Sequence, residues 1–147
     1  MSIDPGETSG ICIAACNNPN DKTDWQIMEV SEMNRKQLYH ALETKPLDLV
    51  IYEEYKLYKD KAKAMIGNHF LTVQYIGVIK YLCEKRGIPT LCSPTSNKAF
   101  WNNDRLKNMN LYVTSDHRRD AIRHFLHWLY FTSKQGNLKD LSPQKST

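Results

Sequence analysis

The hydrophobic pattern divides the chain into short strands at the start and alternating strands and helices after them. Residues 1–16 read as two strands around a turn: Ile3 and Asp4 lead in, Pro5 and Gly6 open the turn, and residues 11–15 lead out. A Pro-Gly pair followed by Gly10 is turn chemistry. Residues 17–24, rich in Asn, Pro and Asp, read as a loop, and residues 25–30 as a third strand. Ser31 is placed to cap a helix running to about residue 43, with Leu38, Tyr39, Ala41 and Leu42 on its apolar face. Residues 47–53 form a strand. Leu49, Val50, Ile51 and Tyr52 are nearly continuously apolar, as in a strand covered on both faces.

Residues 55–68 are polar and basic, and read as a loop that is ordered or orders on binding. A strong helix follows over residues 70–86, with Gly87 at its C′ position and Pro89 beyond. Phe70, Leu71, Val73, Tyr75, Ile76, Val78, Ile79, Tyr81, Leu82 and Cys83 go almost all the way round it. Such a helix is buried on more than one side, so a second subunit is expected against it. Residues 88–92 read as a short strand and 94–110 as loop with short helices. Ser115 caps a last helix from 116 to about 132, with Ala121, Ile122, Phe125, Leu126 and Leu129 inward. Residues 134–147 are polar and read as a flexible tail. The order, β-β-β-α-β-α-β-α, predicts an α/β domain over residues 1–133, a hairpin-bearing mixed sheet flanked by helices.

Composition narrows the classes. A chain of 147 residues fits one domain with one core. No apolar run approaches the roughly 20 residues a membrane helix needs, so no membrane partner is expected. The first residues lack the basic and apolar regions of a secretory signal, which predicts a cytoplasmic protein. Cys12, Cys16, Cys83 and Cys92 contain no C-x-x-C pair, which argues against zinc and for small buried hydrophobes in a reducing compartment. A net charge of +4 and a pI near 8.8 are mildly basic and compatible with nucleic acid.

Four residues carry the candidate chemistry. Asp4 sits where a strand enters the turn, and Glu53 ends the most apolar strand. Asp120 lies in the first turns of the last helix, with His117 three residues before it on the same face. If the first and fourth strands are neighbours, Asp4 and Glu53 meet on the sheet and the helix completes the cluster. Glu54 could replace Glu53, although alternation along the strand favours Glu53. Converging carboxylates repel, and a divalent cation neutralises them. Oxygen ligands favour Mg²⁺ or Mn²⁺, and the imidazole tilts toward Mn²⁺. Two such ions, roughly 3.5–4 Å apart, would activate a water and stabilise the leaving oxygen at a phosphodiester.

Three segments resemble RuvC-like Holliday junction resolvases. Ile3-Asp4-Pro5-Gly6, with Thr8 and Gly10 after it, is similar to the family's first-strand signature. Val50-Ile51-Tyr52-Glu53 resembles the strand ending in its second acidic residue. His117-Arg118-Arg119-Asp120-Ala121 resembles its closing helix, with His where Asp is commoner. The resemblance implies an RNase H-like fold with a mixed five-stranded sheet, a homodimer, and Mg²⁺-dependent nicking of paired strands at four-way DNA junctions. It implies that Asp4, Glu53, His117 and Asp120 are the catalytic metal ligands, for two ions. It places Lys98 near the scissile phosphate, and the compact size resembles a phage-encoded branch.

The expected DNA surface follows Glu53. Tyr55 and Tyr58 interleave with Lys56, Lys59, Lys61 and Lys63, so that lysines can neutralise phosphates while tyrosines stack on unpaired bases. Arg118 and Arg119 flank Asp120 and are expected to hold the backbone. Asp4 followed by Gly6, Thr8 and Gly10 on a hairpin also resembles the phosphate loop of actin-like ATPases and sugar kinases, but their second phosphate loop needs a far longer chain, so no nucleotide cofactor is expected. Other readings keep the fold and change the substrate to RNA–DNA hybrid, flap, fork or RNA precursor, or make the chain a non-catalytic DNA-binding protein.

Overall fold

The computed structural model describes residues 1–55 and 71–132. Five strands form one sheet in the order β3-β2-β1-β4-β5. They are β1 (Ser2–Asp4), β2 (Thr8–Cys16), β3 (Trp25–Asn34), β4 (Val50–Glu53) and β5 (Thr90–Ser93). The first three pair antiparallel, and β1, β4 and β5 run parallel. The sheet is therefore mixed, as expected. The helices are α1 (Arg35–Thr44), α2 (Leu71–Lys85), α3 (Asn97–Phe100), α4 (Asn103–Asn108) and α5 (Asp116–His127).

Alternation along the strands divides the core. Ile3, Ile11, Val50 and Tyr52 face α1 and α2, where Leu38, Leu42, Ile79, Leu82 and Cys83 cover them. Cys12, Leu49 and Ile51 face the other way, against Ala121, Ile122, Phe125, Leu126 and Leu129 of α5 and its continuation. This two-sided cover is why β4 is apolar at consecutive positions. Each fully buried aliphatic side chain contributes about 1.5–3 kcal/mol relative to exposure. Ser2 is a buried polar residue of β1. Its hydroxyl donates to the Ala121 carbonyl at 2.7 Å and pins α5 to the sheet.

The expected helix cap at Ser31 is corrected. Strand β3 continues through Asn34, with Ser31 opposite Ile11 and Glu32 opposite Gly10. Asn34 is the cap: its side chain accepts from the Gln37 amide, and the Gln37 side chain accepts from the Asn34 amide. This reciprocal pair satisfies two helix-end donors. Ser31 has no such partner three residues on, and its hydroxyl donates to Glu29 instead. The last helix is shorter than expected in its α-helical part. Trp128–Thr132 forms a π-helical turn, where Trp101 meets Tyr130 edge-on.

Helix α2 ends as its sequence indicates. Gly87 takes a positive φ of 67°, and the Ile88 amide donates back to the Cys83 carbonyl. That left-handed position favours glycine. The helix buries Tyr75, Ile79, Leu82 and Cys83 and leaves Leu71, Val73 and Tyr81 exposed. Cys12 and Cys83 are buried and unpaired, whereas Cys92 is exposed, contrary to its expected burial. No described helix is long and apolar enough to cross a membrane. The tail over residues 134–147 and Phe70 lie outside the described residues.

Candidate active site

The parallel pairing of β1 with β4 sets Ile3 beside Tyr52, so the next residues, Asp4 and Glu53, leave the sheet side by side. Both side chains take the α5 face by alternation. Ser93, opposite Glu53 in β5, joins them there. The Ser115 side chain caps α5 by accepting from the Arg118 amide, and its hydroxyl donates to Glu32 of β3. The start of α5 lies directly on the β1–β2 hairpin. A Cβ on Gly10 would stand 1.9 Å from the His117 carbonyl oxygen, so only glycine permits this approach.

The structure brings Asp4, Glu53, His117 and Asp120 into one cluster. His117 Nδ1 lies 2.8 Å from Asp4 Oδ2. Asp120 Oδ1 accepts from Arg123 at 2.6 Å, and its Oδ2 pairs with Lys98 Nζ at 2.7 Å. Lys98 also stands 3.7 Å from Glu53 Oε1, linking the two carboxylates. Glu53, not Glu54, is the residue in this cluster.

His124 is a further member that the sequence reading missed. It is completely buried, one helical turn beyond Asp120. Its Nε2 lies 3.9 Å from Glu53 Oε1, and Asp4, Glu53 and His124 each offer a ligand atom within 4.8 Å of the others. Its Nδ1 meets Asn97 Nδ2 at 2.7 Å and Ser93 Oγ at 2.9 Å. The available signal was an inward i+4 position from Asp120, between the apolar pairs Ala121-Ile122 and Phe125-Leu126.

Burial dominates the electrostatics. It pushes the Glu53 carboxyl up to about 7, reinforced by the charge of Asp4 and opposed by Lys98. Burial likewise pulls His124 down to about 3, so its imidazole is neutral at physiological pH. For Lys98 burial disfavours the charge, but the bond to Asp120 and the charges of Asp120, Glu53 and Asp4 outweigh it. The ammonium is therefore held above its usual range.

This donor set fits a divalent cation. Glu53 Oε1 and His124 Nε2 are both buried with no hydrogen-bond partner, and they face the same space as Asp4. Two carboxylates and a neutral imidazole are ligands for Mg²⁺ or Mn²⁺.

Arg119, expected on the DNA surface, is placed otherwise. Arg119 is buried, donates to the Val113 and Thr114 carbonyls at 2.8 Å, pairs with Asp116 and lies over the Tyr112 ring. Arg123 is buried too, donating to the Trp101 carbonyl and Asn103. A rigid guanidinium fork satisfies several acceptors at once, so these charges brace α5 instead of facing solvent. Arg118 is half-buried and Tyr55 half-buried. Lys56, Tyr58, Lys59, Lys61 and Lys63 lie outside the described residues.

No protein-family model matches the sequence, and no curated protein sequence matches it significantly. Solved structures do match the fold. RuvC of T. thermophilus in complex with Holliday junction substrate superposes with a TM-score of 0.66, covering 90% of this chain and 93% of that chain at 12% identity. A second Thermus thermophilus RuvC structure gives a TM-score of 0.61, covering 87% and 92% at 14% identity. The five-stranded mixed sheet with its flanking helices is thus the RNase H-like fold of RuvC.

Proposed function

We propose that this chain is a structure-selective endodeoxyribonuclease that resolves four-way or otherwise branched DNA by metal-dependent phosphodiester hydrolysis. The observation that carries the reading is the convergence of Asp4, Glu53, His117 and Asp120 from three distant segments into one cluster. It is supported by the fold, whose solved example is a RuvC bound to a Holliday junction. Residues 1–133 are the nuclease domain in this reading, and it works as a homodimer. Leu71, Val73 and Tyr81 on α2 are exposed and are available to the partner.

Asp4 and Glu53 would hold Mg²⁺ or Mn²⁺, with His117 and Asp120 completing the ligand set for two ions. Such ions supply an activated water and charge stabilisation at the leaving oxygen. The protein's own groups do the positioning. Asp120 orients the partly exposed Lys98 Nζ, whose ammonium would meet a phosphate oxygen at the cluster. Arg123 fixes the Asp120 carboxylate from behind, and Arg119 fixes the start of α5. A junction-sensing role for Tyr55 and the lysines at 56, 59, 61 and 63 rests on their sequence alone.

A side-by-side cleavage assay tests the reading. Four-way junctions, forks, flaps, linear duplex and RNA–DNA hybrid are incubated with Mg²⁺ and with Mn²⁺. Paired nicks in the four-way junction, absent from linear duplex, are expected. Preferential cutting of the hybrid would move the substrate to RNA–DNA, and no cutting of any substrate would remove the enzymatic reading.

A further inference from the structure

The position of His124 is hard to account for by packing. A helix face that merely covers a sheet would carry an aliphatic side chain there. Instead a fully buried imidazole leaves Nε2 without a hydrogen-bond partner. An orphaned buried polar atom costs about 1–3 kcal/mol. The Glu53 oxygen it faces also has no hydrogen-bond partner, with the Lys98 ammonium no nearer than 3.7 Å. Their 3.9 Å separation is too long for a hydrogen bond. It suits two ligands of one ion. Metal–ligand bonds of about 2.0–2.2 Å place neighbouring ligands roughly 3 Å apart and opposite ligands roughly 4.3 Å apart.

The other side of the ring is arranged to match. Nδ1 is held between Asn97 and Ser93, both buried. Asn97 Oδ1 is itself buried without a partner. Turning that amide by 180° exchanges its oxygen and nitrogen, and Nδ1–H then donates to Oδ1. The proton is then fixed on Nδ1, and the Nε2 lone pair points at Asp4 and Glu53. A ligating histidine typically donates its other ring N–H to a carbonyl or carboxylate, which fixes tautomer and orientation.

We propose that His124 is a metal ligand, binding a divalent cation through Nε2 together with Asp4 and Glu53. This rests on the metal-nuclease reading and adds a nitrogen donor to its expected ligand set. Asn97 and Ser93 are then positioning residues for the imidazole. A buried imidazole beside two carboxylates favours Mn²⁺ relative to Mg²⁺ more than carboxylates alone do.

The test uses the full chain loaded with Mn²⁺ and read by electron spin-echo envelope modulation, which detects a directly bound imidazole nitrogen. Three proteins are compared: wild type, His117→Ala and His124→Gln. His117 is half-exposed, so its replacement leaves the core intact and the experiment does not depend on His124→Gln folding. Nitrogen coupling that persists in His117→Ala is expected. In folded His124→Gln the coupling should fall to the share that His117 supplies, and Mn²⁺ affinity should fall about tenfold or more. Coupling lost in His117→Ala would overturn the assignment, as would coupling and affinity unchanged in His124→Gln. Mn²⁺ bound by wild type without any nitrogen coupling would also overturn it, while leaving the nuclease reading in place. Absence of Mn²⁺ binding altogether would remove both.

Discussion

On the α1–α2 side of the sheet, Ile3, Ile11, Leu38, Leu42, Val50 and Ile79 pack as an apolar layer. On the α5 side the same strands contribute Ser2, Asp4, Glu53 and Ser93 beside Cys12 and Ile51, and α5 buries Arg119, Asp120, Arg123 and His124 among its aliphatic residues. The two sides share strands, so the difference lies in alternation alone: odd and even positions of β1 and β4 do different work. The apolar side holds the domain together. The α5 side accepts polar groups with incomplete hydrogen bonding, which lowers stability and creates a place for a cation.

Three substitutions and one pH dependence sharpen this contrast, from the largest effect to the smallest. Glu53→Gln on the polar side should lower junction cleavage on the order of 10²–10³-fold, comparable to losing one group that stabilises transition-state charge. Its fold should be intact by circular dichroism, and near-normal cleavage would take Glu53 out of the mechanism. Leu42→Ala on the apolar side should lose about 2–5 kcal/mol in urea titration, with cleavage per folded molecule unchanged. A smaller loss would show that the α1–α2 layer does not anchor the domain. Gly10→Ala tests the close approach of hairpin to α5, since the new methyl meets backbone at His117. A loss of about 1–3 kcal/mol is expected, together with reduced cleavage because His117 moves relative to Asp4.

The smallest effect is a pH dependence of the metal-free protein. The Glu53 carboxyl is held at about 7 when folded, against an ordinary value of 4.5. Between these values the folded state binds the proton that the unfolded chain has released, so this group lowers stability as pH rises from about 4.5 to about 7. Glu53→Gln should therefore melt higher than wild type at pH 8, and the advantage should vanish by pH 4. Thermal melts in EDTA across that range check the sign, and a parallel offset at all pH values would contradict it.

Much of this layout was legible in the sequence. Four consecutive apolar residues before Glu53 identified a strand covered on both faces, and Ser115 identified the start of α5. Asp4 and Glu53 were readable because each ends a strand, and His117 and Asp120 because they share one face of the first turns of α5. The failures share a cause. Ser31 carries a capping side chain, but alternation through Asn34 and the Asn34–Gln37 pair outweigh it. Arg119 reads as a solvated charge because its acceptors, the Val113 and Thr114 carbonyls, are created by the loop's tertiary path. His124 reads as ordinary for the same reason. Its partners Ser93, Asn97 and Glu53 lie on β5, α3 and β4, and no spacing within α5 reveals them.

The most direct measurement is calorimetric titration of Mn²⁺ into wild type and into an Asp4→Asn, Glu53→Gln double variant of verified fold. Saturable binding to wild type, weakened at least about a hundredfold in the double variant, is the predicted result. Equal affinity in the two proteins would contradict the claim that these side chains meet to hold a cation.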